Sequence, residues 1–270
     1  MNKDHAWREP WKLHTPAFAI TESLCFVGNR SVSCHLIKTA HGAVLIDTAY
    51  AETAYLLTDA IRSLGVAPDE ITLILHTHGH VDHCGATRRM RELTGATVAM
   101  GEQDIETVER GTALTCAEYL YGITDFETFA VDRALRHGDT IDAGGTLIHC
   151  HHTPGHTAGT ITYTFDVLVG GERLTAGLFG GPGLWTMREE HRAAQGYPGN
   201  REDFARSLAY LKTLDVDVWL GAHPGQNDTF GKYQRLSAGE RPNPFIDPLG
   251  WKRFIERIDA EFQKLVLGLG

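Results

Sequence analysis

Cysteine is scarce in this chain, and none of it is paired by spacing. Cys25, Cys34, Cys84, Cys116 and Cys150 are an odd, scattered set without a Cys-x-x-Cys motif. That pattern argues against a disulfide framework and fits reduced thiols in a cytoplasm. Positive charge is also short: 25 Lys and Arg stand against 34 Asp and Glu, a formal net charge of −9, with no Lys/Arg run. No nucleic-acid partner is expected from such a balance. No uninterrupted apolar stretch reaches membrane-spanning length, so no membrane association is expected. The opening residues Met1 to Glu9 hold no apolar core of the secretory kind, so a cytoplasmic location is expected. No linker or low-complexity segment divides the chain, and residues 1–270 are read as a single domain. With 42% hydrophobic and 22% charged residues, the composition is that of an ordinary globular protein able to bury a large core.

Histidine is what the sequence has in excess. Of 15 in all, three fall in Thr77-His78-Gly79-His80-Val81-Asp82-His83 together with a carboxylate. Imidazoles and carboxylates in this density suit a borderline metal such as zinc. The apolar run Ile71 to Leu75 precedes the string and reads as a buried strand; Cys84-Gly85-Ala86-Thr87 follows and reads as a helix start. The string therefore belongs at the C-terminal end of a strand, where open α/β sheets place their sites. Cys84, beside it, is read as a small buried thiol rather than a ligand.

The rest of the chain alternates between short strands and helices. Ser23–Gly28, Ser33–Lys38 and Ala43–Thr48 read as hairpin strands. Leu57, Ile61 and Leu64 recur at helical spacing before Gly65, and Met90 and Leu93 mark a second short helix ending near Gly95. Ala96–Met100, Gly144–His151, Thr160–Phe165, Arg173–Ala176 and Val216–Leu220 read as further strands, and Gly111 to Arg136 as a helical insert over the site. Asn200 is expected to cap a helix carrying Phe204, Leu208 and Leu211. Phe254, Ile258, Phe262 and Leu265 form a stripe on a C-terminal helix, read as core packing or as the contact face of a homo-oligomer. Strands and helices in two successive halves predict an α/β protein of two packed sheets with helices outside.

Three further positions complete the site, two of them later in the chain. His156 lies in His152-Thr153-Pro154-Gly155-His156-Thr157-Ala158-Gly159, where Pro154 and Gly155 shape a turn that aims an imidazole into a cleft. His223 follows the strand Val218–Leu220 and precedes Pro224. Asp47 ends the strand Val44–Ile46, placed to accept a hydrogen bond from a liganding imidazole or from the loop backbone. Thr77 and Thr157, each beside a candidate ligand, are expected to support it.

This arrangement resembles the metallo-β-lactamase superfamily over nearly the whole chain, most strongly at Thr77–His83 and His152–Gly159. The resemblance implies an αββα sandwich of two mixed sheets flanked by helices. It implies one or two zinc ions per chain, the first bound by His78, His80 and His156 and the second by Asp82, His83 and His223. Three neutral imidazoles leave zinc cationic with one position open for water, whose pKa then falls to about 7. Asp82 is the expected catalytic residue, orienting the nucleophile. Hydrolases of the superfamily carry an acid in a Gly-Asp-x-Leu-Phe-like string; here Thr175 to Gly183 has none. A six-ligand set without that acid resembles the third subclass of class B β-lactamases. Serines that hold the drug carboxylate in that subclass are missing from the stretch Leu178 to Gly180.

The expected activity is hydrolysis of an acyl C–N, C–O or C–S bond in a small-molecule substrate. Two alternatives stand beside it: a true β-lactamase, and a mononuclear iron dioxygenase of the persulfide type, whose two-histidine, one-carboxylate site would leave His83 and His223 idle. Trp185, Met187, Tyr121, Phe126 and Phe129 fall in segments expected to border the cleft.

Overall fold

Two mixed sheets lie face to face in the computed structural model, which describes residues 8–195, 197 and 200–269. The first sheet runs in chain order through β1 (Phe18–Ala19), β2 (Leu24–Phe26), β3 (His35–Thr39), β4 (Gly42–Ile46), β5 (Ile71–Leu75), β6 (Thr97–Gly101) and β7 (Arg133–Leu135). Its first four strands pair antiparallel and the rest parallel. In the second sheet β8 (Thr140–Ala143), β9 (Thr146–His152), β10 (Ile161–Val169) and β11 (Glu172–Leu178) pair antiparallel. Strand β12 (Val218–Leu220) closes its edge parallel to β11. Helices α1 (Ala54–Ser63), α2 (Val81–Cys84), α3 (Thr87–Thr94) and α4 (Ile105–Arg110) follow strands of the first sheet. Helices α5 (Glu189–Gln195), α6 (Asn200–Leu211), α7 (Thr229–Ser237) and α8 (Gly250–Val266) belong to the second half.

The pleat sorts the apolar side chains into three layers, because successive residues of a strand face opposite ways. On β4, Val44 and Ile46 join the cluster between the sheets with Leu75, Tyr163, Phe165 and Leu220. Leu45 between them faces outward, into a cluster with Leu57, Ile61 and Met90 of α1 and α3. A third cluster lies outside the second sheet, where Phe204, Leu208 and Leu211 of α6 meet Trp251, Phe254, Ile258 and Phe262 of α8. This is the αββα sandwich. The Trp251 indole also donates to the Leu211 carbonyl at 2.9 Å, fastening α8 to the end of α6. The C-terminal stripe is thus packed within this chain's own core. Among the described residues no helix is long and apolar enough to cross a membrane.

Several local expectations change. Gly111 to Arg136 is not a helical insert: it holds a short 3-10 turn (Ala113–Thr115), a π-turn (Ala117–Tyr121) and then extended chain into β7. Cys116 and Gly122, both left-handed, bracket the π-turn and prevent a longer helix. Gly144 and Gly145 do not start a strand; they turn β8 into β9. Asn200 stands inside the first turn of α6 and bonds elsewhere: its amide donates to the Thr186 carbonyl and its oxygen accepts from Arg192. Leu93 is exposed, leaving Met90 as the core residue of α3.

Candidate metal centre

Four strand ends deliver the histidine strings to one edge of the sandwich. β4 ends at Asp47, whose backbone is left-handed (φ 61°), and β5 runs into Thr77–His83. β9 leads into the loop that carries His156, and β12 ends just before His223. One ligand atom each from His78, His80 and His156 lie within 4.8 Å of one another, and the same holds for His78, Asp82 and His83. His223 completes the second group: its Nε2 is 3.3 Å from His83 Nε2 and 3.7 Å from an Asp82 oxygen. All six predicted ligands are therefore brought together.

Hydrogen bonds fix which ring nitrogen of each imidazole is free. A carboxylate accepts only, so the Thr77 hydroxyl gives its proton to Asp47 Oδ2 at 2.7 Å and must accept from His78 Nδ1 at 3.0 Å. The lone pair of His78 then sits on Nε2, which is buried and has no protein partner. His156 Nδ1 donates to the Gly183 carbonyl at 2.8 Å, His223 Nδ1 to the Ser31 carbonyl at 2.7 Å, and His83 Nδ1 to Asp47 Oδ2 at 2.8 Å. Each thus turns an Nε2 lone pair toward the common centre. The Nε2 atoms of His83 and His223 stand 3.3 Å apart, so the pair shares either a proton or a metal cation. An orphaned buried nitrogen with converging imidazole and carboxylate donors is what a borderline dication requires.

The site's electrostatics agree. Burial, and after it the neighbouring imidazoles, holds His78 and His80 well below the ordinary histidine range; burial brings His156 to about 4. These rings are neutral at physiological pH and ready to ligate. His223 is lowered too, by burial and then by His83. His83 goes the other way: burial opposes its charge, but the carboxylates of Asp82 and Asp47 outweigh it.

Two buried acids hold the loops. Asp47 also accepts from the Thr77 backbone N–H at 2.8 Å, so its carboxylate meets both the loop backbone and a ligand ring. The second acid, Asp104, lies just beyond β6 and was not legible in the sequence. It accepts from Gly79 N and Gly159 N, both at 2.8 Å, and from the Thr157 hydroxyl at 2.6 Å. One carboxylate thus clasps the loops of His78/His80 and His156, and Thr157 supports the site through it. Replacing Asp104 with Ala leaves two buried N–H groups and a hydroxyl without their acceptor. At about 1–3 kcal/mol for each unsatisfied group, partly relieved by water, we expect a loss of about 3 kcal/mol. That corresponds to roughly 6–12 °C in Tm for a chain of this size, read by calorimetry. An unchanged Tm would remove Asp104 from the scaffold.

The chain after β11 packs against His156 with no room to spare. A Cβ on Gly181 would lie 2.6 Å from the His156 Cβ. Trp185 then rises beside the site, its ring centre 5.3 Å from His80 and 5.7 Å from His156. Of the residues expected to border the cleft, Trp185 reaches it, and Tyr121 packs edge to face on Tyr50 in the helix-side cluster. Met187 is core, and Phe126 and Phe129 pack in the helix-side cluster. Cys84 is fully buried, its thiol donating to the His80 carbonyl, and stands in neither ligand group.

Known proteins share this architecture. Residues 27–223 match the model of the metallo-beta-lactamase superfamily. The subclass B3 metallo-beta-lactamase BJP-1 of Bradyrhizobium japonicum superposes with a TM-score of 0.87 at 29% identity, covering 97% of either chain. The metallo-beta-lactamase FEZ-1 of Legionella gormanii gives 0.88 at 28% identity, over 95% of this chain and 97% of that one. A hydroxyacylglutathione hydrolase of Erythrobacter litoralis is 29% identical over 185 residues, 67% of this chain and 61% of that protein. With the fold, the clustered His78, His80 and His156 and a match over more than half its length in agreement, the chain belongs to the metallo-beta-lactamase superfamily, whose named neighbours here are hydrolases.

Proposed function

We propose that this chain is a dinuclear zinc hydrolase that opens an acyl C–N, C–O or C–S bond of a small, weakly acidic or neutral substrate. The convergence of Nε2 lone pairs from His78, His83, His156 and His223 carries the reading. His78, His80 and His156 hold one ion; Asp82, His83 and His223 hold the other. Bound zinc supplies Lewis acidity and a water nucleophile usable at neutral pH. Asp82 accepts a hydrogen bond from the attacking water and orients it. Asp47 keeps His83 in the tautomer that ligates, and Gly183 does the same for His156. Five free, buried cysteines support action in a reducing cytoplasm. A mononuclear iron dioxygenase would have no use for the packed Asp82–His83–His223 group. Elemental analysis after expression without added metal is expected to give up to two zinc ions per chain; iron alone would favour the dioxygenase.

The β-lactamase reading is favoured by the subclass of the structural neighbours and opposed by the loop after β11. Phe179 is buried in the core, and Gly180, Gly181 and Gly183 lie against backbone or His156 where side chains would clash. That loop offers no hydroxyl to an incoming carboxylate, and an apolar wall does not replace lost hydrogen bonds to a desolvated anion. Metal-replete protein should be run against penicillin, carbapenem, lactone, thioester and phosphoester substrates. We expect the lactone or thioester to be turned over best, with carbapenem kcat/KM below about 10⁴ M⁻¹s⁻¹, the lower end of the usual enzyme range. A carbapenem value above that range's floor would promote the β-lactamase reading.

A further inference from the structure

The segment that carries Trp185 has little of its own to hold it in place. Gly180, Gly181 and Gly183 precede it, and it is a single 3-10 turn, Trp185–Met187. The last carbonyls of a helical turn find no partner within it. Here both are met by side chains of α6. Asn200 Nδ2 donates to the Thr186 carbonyl at 2.8 Å, and Arg201 Nε to the Met187 carbonyl at 2.8 Å.

Asn200 is fully buried, and its amide fits only one way round. The Thr186 carbonyl accepts only, so the NH₂ must face it. Arg192 Nε donates only, so the Asn200 oxygen must face that, at 3.0 Å. Arg192 belongs to α5, and one amide therefore joins α5, α6 and the Trp185 turn. The same helix braces the loop of His156. Ser207 Oγ donates to the Pro154 carbonyl at 2.7 Å, and a Cβ on Gly155 would lie 2.5 Å from the Phe204 Cβ. Trp185 itself is half-buried between these supports. His191 of α5 meets its ring edge to face at 5.0 Å, and Tyr119 of the π-turn meets His191 in the same manner at 5.3 Å.

We infer that Asn200 is a positioning residue: with Arg201 it sets the Trp185 indole as the wall beside His80 and His156 against which a bound substrate lies. This rests on the metallo-hydrolase reading above. Without the Nδ2 donor the buried Thr186 carbonyl has no partner, and the turn must shift to find one. Such a shift displaces the indole and leaves the imidazoles in place, because the loops of His80 and His156 are clasped by Asp104.

The test reads the indole directly. Cobalt(II), whose partly filled d shell quenches a nearby indole, is titrated into the full chain after chelation, and tryptophan emission is followed beside calorimetry. The part of the quench that Trp185→Phe abolishes belongs to Trp185. Asn200→Asp keeps the size and the acceptor for Arg192 and removes the donor. We expect it to lose most of the Trp185 quench while taking up as much cobalt as the wild type. On the best acyl substrate its KM should rise about 2–10-fold, the worth of one hydrogen bond, with kcat near the wild type. Arg201→Ala, at a half-buried position, should move both readings the same way but less, and it decides should Asn200→Asp fold poorly. Arg206→Ala, an exposed residue of the same helix that pairs with Asp203, should match the wild type. A wild-type quench or an unchanged KM in Asn200→Asp overturns the inference alone. So does loss of cobalt uptake in that variant, which would place Asn200 behind the ligands and not behind the wall. A wild-type chain that binds cobalt without quenching Trp185 also overturns it, whereas one that binds no cobalt overturns the metal reading beneath.

Discussion

Asp82→Ala is expected to lower kcat/KM by roughly 10²–10⁴-fold, the usual worth of a positioned acid–base group, and to cut metal content from two ions to one. The reason is geometric. Asp82 is 4% exposed, and one of its oxygens faces the free nitrogens of both His83 and His223. Without the carboxylate the second group is two neutral imidazoles, which hold a dication far more weakly. The first group, His78, His80 and His156, keeps its supports in Thr77, Asp47 and the Gly183 carbonyl. The scaffold should survive, because the loop is clasped by Asp47 and Asp104 through its backbone and not by Asp82. Circular dichroism and Tm should therefore stay near the wild type while activity on the best acyl substrate collapses. Activity within tenfold of the wild type, or retention of both ions, would remove Asp82 from its assigned role. Cys84→Ala is the matched control: its thiol donates to the His80 carbonyl and stands in neither ligand group, so metal content should not change.

How much of this was legible in the sequence depends on what each element must announce. β5 and the His string were plain, because a buried parallel strand reads as a continuous apolar run and the chemistry follows at its end. β10 and β11 were nearly as clear. β1, β7 and β8, of two to four residues, are too short to show a period and exist only because neighbours pair with them. The insert misled for a related reason: its mixed composition has no period, and its turns are set by left-handed Cys116 and Gly122 rather than by a repeating face. Within the site, the candidate ligands were legible because imidazoles cluster in strings. Asp47 was legible because it ends an apolar strand. Asp104 was not. It is one acid among 34, beyond a strand end, and its partners are backbone N–H groups that leave no trace in side-chain identity.

Asp47→Asn should cost about 3–5 kcal/mol, the range for breaking a buried charge pair from one side, and should loosen the second ion as well. Asparagine is the informative replacement. It tolerates the left-handed backbone that Asp47 adopts at φ 61°, so strain is not added. It also keeps the side-chain volume. What it changes is the acceptor set. Asp47 receives three hydrogen bonds, from Thr77 N, Thr77 Oγ1 and His83 Nδ1, and an amide must point its NH₂ at one side of them. One oxygen cannot serve both sides, and the misplaced NH₂ faces a donor. The pH dependence has a definite sign. Burial opposes the Asp47 charge, but His83 first and His76 after it hold the carboxyl well below its ordinary value of about 3.9. A depressed folded pKa gives stability that is fully present above the unfolded value and is lost as pH falls toward the folded one. The stability gap between wild type and Asp47→Asn should therefore widen from about pH 7 to pH 5, as His83 takes its proton beside the Asp47 carboxylate, and shrink steadily below about pH 4. Urea unfolding at stepped pH, with chelator present so that metal release does not intrude, measures it. A gap as wide at pH 3 as at pH 5 would show that Asp47 acts through shape alone. A gap near zero at neutral pH would remove it from the scaffold of the His78–His83 loop.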